Sequence, residues 1–125
     1  MNFENRVLFS KMTGSTNREA SLVWFDEIQE KVHSSEGGVT EPWVIFLDSR
    51  DWVGASLDAW EVNNQITDWV SSHGCVYEAI VLSKKMHVYA AKTELNDQPI
   101  LHYFFDYDEA YQGCLDKLFE VQSTK

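Results

Sequence analysis

The segment Asp48-Ser49-Arg50-Asp51-Trp52 places two carboxylates, a guanidinium and an indole within one short stretch. Arg50 offers a planar fork of donors matched to a carboxylate or phosphate, and Trp52 offers a flat apolar wall. That chemistry holds a partner or a small molecule rather than breaking its bonds. The same residues have a purely structural use, with Arg50 pairing with Asp48 or Asp51 to fix a loop while Trp52 caps the core. Ser56 follows where a helix should begin and suits an N-cap. A phosphate carried there would meet free N–H groups and the helix dipole, opposed by Asp51 and Asp58. Trp60 groups on a helical wheel with Asn63, Asn64 and Thr67, off the apolar stripe. A large aromatic on a polar face marks a partner surface or groove wall, or lies under a neighbouring element. With Arg50 and Trp60 on a surface, truncating either to alanine should change stability by no more than about 1 kcal/mol.

Catalytic signatures are missing. Gly54-Ala55-Ser56 matches half of a nucleophile elbow, but Asp58 stands where the second glycine is required. His33, His73, His87 and His102 show no HExxH spacing, and no Cys-x-x-Cys occurs. Gly37-Gly38 precedes a strand rather than a helix, so it is not a phosphate-cradling loop. No catalytic residue, metal ligand set or cofactor is expected.

The elements that must position these residues are legible from periodicity. Trp43 to Leu47 is an unbroken apolar run, the pattern of a central strand covered on both faces, and the charged loop from Asp48 should lie at its carboxyl end. In open α/β sheets ligands bind at such ends. Ser56 then caps a helix whose stripe is Ala59, Val62, Ile66 and Trp69-Val70, closed by His73-Gly74. Upstream, Arg6 to Met12 reads as a strand near an edge, broken by Thr13-Gly14-Ser15. Thr16 with Glu19 forms a capping box for a helix to about His33, with Ala20, Trp24, Ile28 and Val32 at fours. Ser34 to Glu41 is a polar loop. Downstream, Val76 to Leu82 is an internal strand. Lys84 to Leu95 is a helix presenting either Met86, Ala90 and Thr93 or Val88, Ala91 and Leu95. Asn96, Asp97 and Gln98 turn into a strand over Ile100 to Phe105. Asp106 and Glu109 cap a last helix to about Phe119, and the tail after it should fray.

The 125 residues suffice for one domain over 1–125, with an ordered core of about 5–120. A formal charge of −10, from 20 acidic and 10 basic residues, argues against nucleic acid and anionic membrane surfaces. A 44% hydrophobic and 14% aromatic composition excludes a disordered chain. The start MNFENRVLF has no signal-peptide core, and no stretch is long enough to span a membrane. A cytoplasmic location follows, and with it free, buried thiols at Cys75 and Cys114.

The order βαβαβαβα specifies an α/β sandwich with a mainly parallel sheet of four to five strands. The Asp48-to-Trp52 loop, the Ser56-Leu57-Asp58-Ala59 helix start, the Trp69 to Gly74 helix end and the Phe104-Phe105-Asp106 to Leu118 finish resemble the STAS superfamily. The resemblance is to its SpoIIAA-like branch of small bacterial proteins, whose fold is also similar to CRAL-TRIO lipid-transfer domains. It implies a non-catalytic regulatory or protein-interaction module, binding a partner through residues 48–56 and the second helix, with a homodimer as one such pairing. It also implies an alternative, a small apolar or amphipathic ligand held between sheet and helices. In the anti-sigma-factor antagonists of the superfamily a serine at this helix start is phosphorylated. Ser56 falls near that position, but Val53-Gly54-Ala55 replaces the preceding Asp-Ser.

Overall fold

Strand β3 (Trp43–Ala55) is the axis of the molecule. In the computed structural model, which describes residues 1–34, 41–95 and 98–123, it is flanked in order by β1 (Asn2–Glu4), β2 (Val7–Thr16), β4 (Cys75–Val81) and β5 (Leu101–Phe104). The sheet order is β1-β2-β3-β4-β5, parallel except for β1. Between the strands run α1 (Arg18–Ser34), α2 (Leu57–Ser72), α3 (Lys85–Glu94) and, after β5, α4 (Tyr107–Ser123). The Gly37-Gly38 part of the expected loop, the Asn96-Asp97 turn and the end of the tail lie outside the described residues.

Alternation along β3 divides the core in two. Trp43, Ile45 and Leu47 pack with Leu8, Ile28, Val62, Ile66 and Val70 beneath α1 and α2. Val44 and Phe46 pack with Val7, Ala79, Val81 and, from α4, Ala110, Cys114 and Leu118. All five residues of the apolar run are buried, as a doubly covered strand requires. Each such side chain contributes roughly 1.5–3 kcal/mol of transfer free energy. The Trp43 indole also donates to the His73 carbonyl at 2.7 Å, tying the end of α2 to β3. Gly74 turns there with φ +94°, and a side chain on it would press against the Trp43 ring.

The expected charged loop is a correction. Residues 48–55 continue β3, because β2 does not break at Thr13 but runs on to Thr16 and pairs with them, from Lys11↔Asp48 to Thr16↔Ala55. Backbone pairing with β2 satisfies the polar stretch that composition assigned to a turn. Two register shifts give β3 an extra residue each, one between Asp48 and Asp51 and one between Trp52 and Gly54. Gly54 accommodates the second with φ +152°.

Three further boundaries move. A short strand, β1, precedes the first expected one through a two-residue turn at Asn5 (φ 52°) and Arg6 (φ 65°), so β2 is internal. The cap of α1 is Asn17, whose Oδ1 accepts from the Ala20 N–H at 2.8 Å, because Thr16 is still held in β2. Ser21 accordingly begins the buried face, and Ala20 is exposed. Helix α4 runs past Phe119 to Ser123. In α3 the Val88, Ala91, Leu95 side faces the core together with His87, while Met86 is exposed. The caps at Ser56 and Asp106 stand as read: Ala59 N–H reaches Ser56 Oγ at 3.3 Å, and Glu109 N–H reaches Asp106 Oδ1 at 2.9 Å. Cys75 and Cys114 are free and buried. No helix among the described residues is long and apolar enough to cross a membrane.

Replacing Asn17 by alanine should cost about 1 kcal/mol in denaturant unfolding, and Glu19→Ala less than about half of that. Equal losses would restore the capping box at Thr16.

Candidate functional site

The residues grouped in sequence as one site are separated by the first bulge of β3. Asp48 and Arg50 keep the phase of Val44 and Phe46 and lie on the α4 side, where the Arg50 guanidinium sits 5.0 Å from the centre of the Tyr107 ring. Arg50 grips the Asp48 carboxylate with two bonds of 2.9 Å, from Nε and Nη2, and its backbone N–H adds a third at 3.2 Å. These bonds outweigh partial burial and hold the Asp48 carboxyl below its ordinary range. Arg50 is thus spent on bracing the strand. Asp51 is exposed and pairs with Lys11 at 3.5 Å. Ser56 is exposed, and its hydroxyl donates to Asp58 Oδ1 while capping α2.

Trp52 and Trp60 do come together, inside the protein. The extra residue in β3 returns Trp52 to the face of Leu47, where it is 5% exposed and its Nε1 donates to Thr16 Oγ1 at 3.2 Å. Trp60, expected on a polar face, is 8% exposed and meets Trp52 edge to face at 5.7 Å. The helical wheel misplaced it because Trp52, from the extended end of β3, packs on a second side of α2 and the Glu94 carbonyl of α3 accepts from Asn64 there, so the buried arc of α2 is wider than the stripe facing the sheet.

Between these indoles and the sheet is a cavity of about 510 Å³, counting its mouth open to solvent. Met12 of β2, Leu47, Ser49 and Trp52 of β3, and Glu78 and Ile80 of β4 form one wall. Trp24 of α1, Trp60, Asn63, Ile66 and Thr67 of α2, and Ala91 of α3 form the other, with Leu82 and Leu95 completing the lining. The Trp24 N–H is occupied by Ser10 Oγ at 2.9 Å, and the Thr67 hydroxyl by the Asn63 carbonyl at 3.1 Å.

Glu78 is the residue that sequence reading passed over. It sits midway along β4, opposite Ile45 and Leu101, and is 4% exposed. Among the described residues its Oε1 has no hydrogen-bond partner, and neither does Asn63 Oδ1. Burial alone pushes its pKa up to about 7, with no cation offsetting the cost. The available signal was one carboxylate inside the apolar run VYEAIVL, on the same strand face as Ile80. His87 of α3, also buried with Nδ1 unpartnered, packs edge-on against Trp52 at 5.1 Å. Glu78 is the single ionisable side chain among the described lining residues, and no group of three metal-ligating side chains occurs among the described residues.

The same arrangement of strands and helices recurs in the crystal structure of an uncharacterised protein from the DUF3478 family with a SpoIIAA-like fold, from Shewanella loihica PV-4. The likeness covers 84% of this chain and 82% of that one, with a TM-score of 0.57 and 16% identity. The chain has a SpoIIAA-like fold. At that identity the likeness speaks for architecture alone. Neither a protein-family model nor a curated protein matches the sequence. Within the SpoIIAA-like fold the cavity lies on the α1–α2 face of the sheet, away from the Asp48–Arg50 pair.

Two outcomes follow from this placement. Trp60→Ala should cost about 3–5 kcal/mol rather than the small change expected of a surface residue, measured by thermal or denaturant unfolding. Glu78 has an ordinary pKa of 4.5 when unfolded and about 7 in the fold. As pH rises between these values the unfolded chain releases its proton first, so the fold loses stability, on the order of 3 kcal/mol in all. Unfolding followed across that window should show this loss in the native protein and its absence in Glu78→Gln.

Proposed function

We propose that this protein is a non-catalytic binding module whose cavity takes a small apolar or amphipathic molecule. The observation that carries the reading is the cavity itself, walled by Trp24, Trp52 and Trp60 with a few polar groups set among apolar ones. The aromatic-rich lining with a few convergent polar groups matches small-molecule sites in composition. Binding is favoured over catalysis because acid–base chemistry needs a second group poised against the first. Glu78 has no other ionisable side chain beside it in the described lining.

A second reading, a protein-partner surface at the outer end of β3 and the start of α2, draws on the exposed apolar side chains Val53 (62%) and Leu57 (74%) beside Ser56. Phosphorylation of Ser56 would act on that surface. Asp58 already shares its hydroxyl and would repel the added charge.

Propylbenzene titrated into the purified protein should shift tryptophan emission saturably. Ala91→Leu, which fills the cavity from α3, should abolish the shift while the protein stays folded. Native mass spectrometry of the protein as isolated should show a bound non-protein mass. A clean apo mass together with unresponsive tryptophans would sink the cavity reading and leave the partner surface.

A further inference from the structure

The cavity is apolar in bulk, yet its two unsatisfied polar atoms are both acceptors, Glu78 Oε1 and Asn63 Oδ1. Leaving a buried acceptor unmade costs about 1–3 kcal/mol, more for a carboxylate. Among the described residues, no lysine, arginine or histidine lines the space to answer them. A donor brought from outside would. A divalent metal ion is a poor candidate, since a single carboxylate does not supply the six or so oxygens that a hard cation takes. Aromatic walls favour instead an organic cation, whose charge is attracted by indole faces. The net charge of −10 would draw such a molecule in.

Resting on the reading of the cavity as a small-molecule site, we infer that its ligand is a protonated primary or secondary amine on an apolar body. The ammonium N–H groups bond to Glu78, with Asn63 as second acceptor, and the apolar body lies against Trp52 and Trp60. Glu78 is the selectivity element: it converts a generic apolar pocket into one that prefers a cation over a neutral molecule or an anion of the same shape.

Pairing with an ammonium requires the carboxylate form of Glu78, whose pKa in the unliganded protein is about 7. Amine binding therefore releases a proton from Glu78 at lower pH and strengthens as pH rises, while the amine itself stays protonated. Other titratable groups around Glu78 are few. Cys75 on β4 and Cys114 on α4 are thiols raised by burial, the latter to about 12, and stay neutral in this range. From β5 comes Tyr103, with the Lys92 ammonium of α3 5.7 Å from its ring centre. His87, against Trp52, is the further group on α3. The lining side chains from β2, β3, α1 and α2 are uncharged.

The test compares three probes of similar shape, phenethylamine, propylbenzene and phenylpropionate, by tryptophan fluorescence and amide chemical-shift titration. At about pH 8 phenethylamine should bind on the order of tenfold or more tighter than propylbenzene, and phenylpropionate weakest. Its advantage should disappear on going to about pH 5, where only about one Glu78 in a hundred is ionised. Glu78→Gln should erase both the advantage and its pH dependence; pH dependence surviving in that variant would overturn the role of Glu78. Should the variant not fold, the pH dependence of native binding decides. Propylbenzene binding equal to phenethylamine, or phenylpropionate binding tighter, would overturn the amine assignment and leave the cavity reading intact. Binding of none of the three would overturn both.

Discussion

Double burial of the Trp43–Leu47 segment is the constraint from which the rest of the architecture follows. With helices on both faces, alternate residues must supply two different cores, and no polar side chain can be tolerated within the run. That places β3 at the centre of the sheet, puts α4 alone on one side, and forces α1, α2 and α3 to share the other. The cavity lies on the side that the three helices share.

The bulge in β3 determines what faces that cavity. In an unbroken strand Trp52 would share the side of Asp48 and Arg50; one extra residue instead sends the indole inward and leaves the ion pair on the α4 side. Charge and aromatic surface, adjacent along the chain, are thereby sorted onto opposite faces of the sheet. Asp48 gains from this arrangement, since its carboxylate is answered three times by Arg50. Glu78 does not. A carboxyl kept unanswered in an apolar cavity weakens the fold around neutral pH, and such local violations of otherwise consistent packing are characteristic of functional or strained sites.

Much of the architecture was legible in residue order. The apolar run, the caps at Ser56 and Asp106, the His73-Gly74 stop and the spacing of helices specify an α/β fold with a central parallel strand. β1 went unread because its turn, Asn5-Arg6, lacks the glycine that usually announces a hairpin. The strand extension after Leu47 went unread because polar residues on a strand pair are indistinguishable in composition from a loop. Of the candidate site, Trp52 and Trp60 were singled out with either a surface role or a place in the core, and the fold takes the second; Glu78 was hidden by its apolar neighbours.

Sequence by itself therefore determined the four strands and four helices of the βαβαβαβα order and which strand is central, because hydrophobic period and end-capping are local properties carried by neighbouring residues. Only the tertiary structure decided where Trp60 points, which face receives Arg50, and that Glu78 and Asn63 open on one cavity. Those relations depend on a register shift between strands and on helices far apart in the chain, and no local pattern encodes them.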